Sequence, residues 1–206
     1  MMKWWMVISG LYIFSLTAHA SQLIRLEVEQ KDEVYNVYVE MDVDAPVEAV
    51  LSVLTDYEKL NRLSDSIIDS KIIDSRNENV VRVQTQIENC VLFFCMDIKK
   101  VEDVTEDTNG RITASVVAES SDFRSGNAVW EVKSTAHGSR VIHTASLEPD
   151  VGLPAWMGAS IVKNSLRHEL RQSFENLECL SRIDCTRETE KMQIQYSNDV
   201  TEEDFI

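Results

Sequence analysis

Residues 153–178 read LPAWMGASIVKNSLRHELRQSFENLE, and in that stretch an apolar side chain returns every three to four positions. Ile161 or Val162, Leu166, Leu170, Ser173 or Phe174, and Leu177 form one stripe that runs on to Cys179-Leu180. Lys163, Asn164, Arg167, Glu169 and Arg171 occupy much of the complementary side. The spacing predicts an α-helix of about 25 residues, with Asp150 as its cap and Pro154 in its first turn. A helix with one apolar stripe must lie on something, and the surface available is the concave face of a sheet.

That sheet is legible upstream. Residues 22–28 alternate apolar and polar, Lys31-Asp32 turns, and Tyr35, Val37, Val39, Met41 and Val43 then share one face, which is the period of a half-buried hairpin. Asp44-Ala45-Pro46 stops the strand, and Val47, Val50, Leu51 and Leu54 predict a short helix over 46–56, followed by a second helical turn within Asp56 to Leu63. Period two returns in Ile67–Ile73, in Val81, Val83, Thr85 and Ile87, and in Leu92–Val101, with a turn at Asn77-Glu78-Asn79. Thr108-Asn109-Gly110, Ser125-Gly126-Asn127 and His137-Gly138 read as turns before the strands at Ile112–Val116, Ala128–Val132 and Val141–Leu147. These make six or seven antiparallel strands after the first helix region, and such close connections exclude a doubly wound parallel fold and define an α+β class.

The chain's 206 residues carry 20 Lys and Arg against 35 Asp and Glu, a net charge of −15. A chain of this size buries a core without a metal or a dense disulfide framework. Its acidity excludes a nucleic-acid partner, because phosphate recognition wants clustered Lys and Arg. Residues 1–20 have the three parts of a secretory signal: Lys3, an apolar run from Trp4 to Leu16, and Ala18-His19-Ala20 as the cleavage site, too short at its centre for a permanent anchor. Cleavage removes one basic residue and no acidic one, leaving −16 and no later membrane span. Cys90, Cys95, Cys179 and Cys185 are an even set in a chain expected to reach an oxidising compartment, so two disulfides are expected. Three pairings exist, and short loops favour Cys90 with Cys95 and Cys179 with Cys185. The first pair needs a hairpin turn or bulge within Asn89–Phe94, since residues five apart on a continuous strand face opposite sides. No metal and no cofactor are expected, neither spacing being that of a metal site. From Arg187 the sequence RETEKMQIQYSNDVTEEDFI carries six acidic and two basic residues, and residues 181–206 are expected to form a poorly ordered acidic tail, with Met192–Tyr196 as an optional edge strand.

Strands, short helices, more strands and a long closing helix, together with VDAPVEAVLSVLTDYEKLNRL (43–63), FRSGNAVWEV (123–132) and the helix at 153–178, resemble the START-like helix-grip superfamily. This superfamily is also called SRPBCC or polyketide cyclase/dehydrase-like, and the likeness is greatest to its coenzyme-Q-binding and ribosome-association-toxin branch. The resemblance spans residues 21–180 as one domain. It implies a curved antiparallel sheet wrapped around the C-terminal helix, with a hydrophobic tunnel between them that relatives use for lipids, quinones or polyketides. The export signal and the acidity depart from that branch and count against ribosomal RNA as a partner.

The expected partner is therefore a hydrophobic small molecule. Trp156, Met157, Ile161 and Leu166 on the long helix, Tyr57 and Leu60 near an entrance, and Phe94, Phe123 and Trp130 on the sheet are the candidate lining, although the same spacing describes ordinary core. Arg124, His143 and Asn164 are the polar candidates, with His143 in phase with Val141, Ala145 and Leu147 and more readily structural than catalytic. Asp56-Tyr57 reads as a helix end rather than an acid/base pair. No catalytic residue is assigned, because GxSxG, HExxH, GxxxxGK[ST] and GxGxxG are all missing from the sequence. Three classes remain: an exported carrier of a lipid-like or quinone-like molecule, a small-molecule cyclase or aromatase, and a ligand-free interaction module of the envelope whose protein partner the sequence does not identify.

Overall fold

The computed structural model describes residues 22–77, 79–91, 94–152 and 158–183. The first hairpin, β1 (Gln22–Lys31) and β2 (Val34–Val43), turns at Asp32, whose φ of 56° is a left-handed value that a short polar side chain tolerates. Tyr35, Val37, Val39, Met41 and Val43 are all buried, as the alternation predicts. Pro46 then caps α1 (Val47–Leu54), which buries Val50, Val53 and Leu54. A single 3-10 turn follows at Leu60–Arg62, tied by Lys59 and Arg62 to Asp56 and by the Leu60 N–H, which donates to Ser70 Oγ at 3.0 Å.

The remaining strands are β3 (Ile67–Asn77), β4 (Val80–Val91), β5 (Phe94–Glu106), β6 (Arg111–Val116), β7 (Phe123–Thr135) and β8 (Gly138–Pro149). All eight form one curved antiparallel sheet in the order β1-β2-β8-β7-β6-β5-β4-β3, which does not close, so β1 and β3 are its edges. The long helix, α2 (Ala159–Ser181), crosses the sheet and packs against α1 and β1, giving the expected helix-grip architecture.

Two boundaries differ from the expectation. Ser125-Gly126-Asn127 is not a turn; it lies inside β7, paired with β6 and β8. Gly126 is there for packing, because a Cβ on it would come within 2.6 Å of Val116 Cγ2 and 2.8 Å of Leu147 Cδ2. Nor does Asp150 cap the long helix. Gly158 holds that position, and Asp150 instead pairs with the Arg124 guanidinium at 2.9 Å, beside Glu33 and Glu148.

Cys90 and Cys95 are bridged, and the reason is the hairpin that the pairing required: β4 and β5 reverse so that the two residues lie directly opposite, with Cα atoms 3.9 Å apart. Cys179 is also disulfide-bonded. Its expected partner Cys185, the signal segment 1–20, Pro154, Trp156, Met157 and the tail from residue 184 lie outside the described residues. Among the described residues no helix is long and apolar enough to cross a membrane.

Gly138 opens β8 at φ +143°, and a side chain there would run into the Val43 carbonyl where β2 gives way to α1. Gly138→Ala is expected to lower the free energy of unfolding by at least about 1–3 kcal/mol. Urea denaturation measures this, and an unchanged midpoint would contradict it.

Candidate functional site

The sheet face that meets α2 can be followed row by row from the strand register. Val39, His143, Trp130 and Ile112 lie side by side on β2, β8, β7 and β6. The next row is Val37, Ala145, Ala128, Ala114 and Val104. Beyond it come Tyr35, Leu147 and Gly126, then Val116 opposite Glu102 on β5 and Lys100 opposite Thr85 on β4. Three alanines and a glycine in the middle of the sheet make a floor of small side chains where larger ones would touch the helix.

Burial divides this inner face into two ends. At the end beneath α1 and the second half of α2, Val39, Val50, Val141, Phe174 and Leu177 are almost fully buried. Phe174 reaches the sheet through an aromatic stack: Trp130 lies 5.5 Å from it and 3.8 Å from the His143 ring. Toward the start of α2 the apolar side chains are only half-buried, among them Ile161 and Leu166 on the helix and Met96, Ile98 and Leu147 on the sheet. The helix backbone comes close to α1 and β1, and in its first half Ser165 Oγ lies 3.4 Å from Asn89 Oδ1 on β4. The first half of α2 therefore carries half-buried apolar side chains toward a sheet face whose middle is built of small residues, with Leu166 and Leu170 packed against the core.

What holds the helix in that attitude is a polar seam on the side that the sequence assigns to solvent. The Glu169 carboxylate accepts from the hydroxyls of Ser64 and Ser66. Gln172 Nε2 donates to Asp65 at 2.8 Å, Asn176 Nδ2 donates to the Leu63 carbonyl at 3.1 Å, and Arg167 donates to the Val28 carbonyl at 3.2 Å. Positions 169, 172 and 176 share one helix face, so the segment after the 3-10 turn binds α2 along its length.

Of the sequence-derived candidates, Phe94, Ile161 and Leu166 are half-buried, Leu166 packing against the core, and Phe123 is buried opposite Pro149. Trp130 sits midway in the aromatic stack. Tyr57 is buried at the other end, where its hydroxyl donates to Glu106 at 2.6 Å; burial first, then that carboxylate, hold its phenol pKa well above the ordinary value. Leu60 packs at the edge of the core in the 3-10 turn. Arg124 is on the surface among three carboxylates, and Asn164 is exposed.

Two charged residues on the inner face are not among the sequence-derived candidates. Lys100 and Glu102 form an ion pair at 3.0 Å with side chains only 23% and 12% exposed. Their signal is present in the alternation Ile98, Lys100, Glu102, Val104, which places both on the same face as two core positions, but the sequence reading ends that strand at Val101. His143, 7% exposed, is the third polar group. Burial first, and then the positive charge of Lys100, depress its pKa to about 3. A separate depression of about 380 Å³, open to solvent between the start of α1 and the β7–β8 turn, shares no residue with this face.

Residues 35–182 match the family described as polyketide cyclase/dehydrase and lipid transport, and the chain belongs to it. Solved structures share the fold at low identity. A STAR-related lipid transfer protein from Xanthomonas axonopodis superimposes with a TM-score of 0.57 at 14% identity, over 76% of this chain and 98% of that one. The Zhui aromatase/cyclase from Streptomyces sp. R1128 gives 0.55 at 10%, over 76% and 96%. A protein from Thermus thermophilus gives 0.57 at 18%, over 71% and 96%. No curated protein sequence matches the chain. The resemblance read from the sequence is thus shown: this is a START-like, SRPBCC protein.

The His143 ring gives a pH test. In the unfolded chain it titrates near its ordinary value of about 6.5; folded, it does so near 3. Between these values the unfolded state binds the extra proton, so stability falls as the pH drops through that window, by up to about 1.4 kcal/mol per pH unit, and nothing is lost above it. His143→Phe keeps a ring in the stack and removes this loss, so its stability relative to wild type is expected to rise between about pH 7 and about pH 4.5. Urea denaturation of both proteins at the two pH values checks it; a constant difference would contradict the buried neutral ring.

Proposed function

We propose that this protein is an exported binding protein that holds a hydrophobic small molecule, lipid-like or quinone-like, between the first half of α2 and the inner face of the sheet. The observation that carries the reading is partial burial: Ile161 and Leu166 on the helix and Met96, Ile98 and Leu147 on the sheet are only half covered, around a floor of Ala114, Ala128, Ala145 and Gly126. Apolar surface left this way is stabilised when an apolar molecule covers it, at about 25 cal/mol per Å² removed from water. The family's printed description includes lipid transport, and one structural neighbour is a lipid transfer protein, which supports the same reading. Export rests on the signal-like residues 1–20, and the Cys90–Cys95 disulfide supports an oxidising destination.

The polar groups favour binding over acid/base chemistry. A general base works best with a pKa near the operating pH, whereas His143 is held near 3. Lys100 and Glu102 already neutralise one another.

Filling the gap tests the proposal. Leu166→Trp adds a large ring to the half-buried stripe of α2. If the space is open, the variant loses binding of the apolar dye Nile red while its unfolding midpoint hardly changes. If side chains already fill the interior, overpacking costs about 1–3 kcal/mol and wild type binds no dye, which would overturn the proposal.

A further inference from the structure

The edge strand β3 is eleven residues long and hydrogen-bonded to β4 on one side only. Among the described residues the exposed large hydrophobic side chains on strands are Ile24 on β1 and Ile68, Ile72 and Ile73 on β3, the three on β3 each exposed by 44% or more. A long apolar edge is a template for one more strand, because its outer side presents main-chain N–H and C=O groups to water. Proteins commonly guard such an edge with charges and bulges. β3 has both, and their placement decides which strand it accepts.

Lys71 lies opposite Gln84 on β4, and Asp74 lies opposite Arg82. Those two β4 residues alternate with Val81, Val83 and Thr85, which turn toward the core, so Lys71 and Asp74 stand together on the outer face of the sheet. Residues three apart on a regular strand would face opposite sides. The register shift between Ile72 and Asp74 brings them to the same side, with Ile73 as the extra residue of a bulge. Ser70, Ile72 and Ser75 keep to the inner face, opposite Thr85, Val83 and Val81.

The stretch Ser70-Lys71-Ile72-Ile73-Asp74-Ser75 is therefore its own antiparallel complement. When a second β3 runs the other way with Ile72 opposite Ile73, Lys71 meets Asp74 on the outer face, Ser70 meets Ser75 on the inner face, and the two-fold axis repeats each pair. Within one chain Lys71 reaches only Asp69, at 3.6 Å with both side chains more than half exposed, a contact too weak in water to hold it back.

We propose that β3 is the interface between two copies of this chain, a two-fold dimer in which the β3 strands pair antiparallel about Ile72 and Ile73 and Lys71 of each copy meets Asp74 of the other. The occupant is a second copy because the charge pattern complements itself. This assembly stands apart from the binding reading above and does not depend on it.

Sedimentation velocity of the exported protein from about 1 μM to about 1 mM tests the proposal, since an edge contact of modest area gives a weak dimer. Wild type is expected to dimerise within that range. Lys71→Asp and Asp74→Lys each set like charges opposite in both pairs, and each is expected to weaken the dimer about tenfold or more. Mixing the two variants restores opposite charges in both pairs, so the mixture is expected to regain a dimer close to wild type in strength. Hydrogen exchange in wild type, with β3 amides slowing as concentration rises, gives a second readout that stands even if a variant folds poorly. A monomer at every concentration, a dimer indifferent to both reversals, or two folded variants that do not restore each other overturns the proposal. β3 amides fully protected in a monomer would assign the edge to the chain's own C-terminal segment and overturn it equally.

Discussion

The structure depends on how α2 is fastened. Its second half is wedged into the sheet by Phe174 and Leu177, and its flank is tied by Glu169, Gln172 and Asn176 to the segment that follows the 3-10 turn. The first attachment acts on the second half of the helix, and the seam runs along its middle from Arg167 to Asn176. A helix held in that way is stiff along its axis, so its first half is carried out over the sheet, where Ser165 meets Asn89. The aromatic stack of Trp130, His143 and Phe174 then forms a wall between the filled end and the open one, with each ring pair contributing about 0.5–1.5 kcal/mol beyond the area it buries. The small residues in the middle of the sheet keep the floor low.

Much of this was legible from period alone. Alternation assigned every buried position of β2, the helical stripe put Phe174 and Leu177 in the core, and paired cysteines five apart demanded the β4–β5 hairpin that is found. Misreadings arose where a local signal competed with packing across strands. Ser125-Gly126-Asn127 has the composition of a turn, but Val116 and Leu147, distant in sequence, take the space over Gly126 and draw it into a strand. Asp150 has the chemistry of a cap and directs it to Arg124. Glu169 and Asn176 look like solvent-facing residues until the segment at 63–66 folds over them. Each of these depends on a contact between distant parts of the chain, which no window of sequence displays.

The site was legible in kind more than in detail. Ile161, Leu166 and Phe94, read as lining from the sequence, are half-buried, while Tyr57 is buried in the core. Lys100 and Glu102 escape a sequence reading because a charged pair on a strand is ordinarily a solvated face. The alternation with Val104 hints at their face, and the register with β4 and β6 confirms that they share it with Val83. Polar groups set in an otherwise apolar interior lower stability unless they are satisfied. Lys100 and Glu102 satisfy one another; Nδ1 of His143 does not find a partner among the described residues.

The central claim is that the interior receives an apolar molecule, and native mass spectrometry of the protein recovered from the exported fraction tests it most directly. The account predicts a species heavier than the polypeptide by one small molecule, released into organic solvent and absent from the Leu166→Trp variant. A bare polypeptide mass that stays unchanged after incubation with lipid and quinone extracts would contradict it.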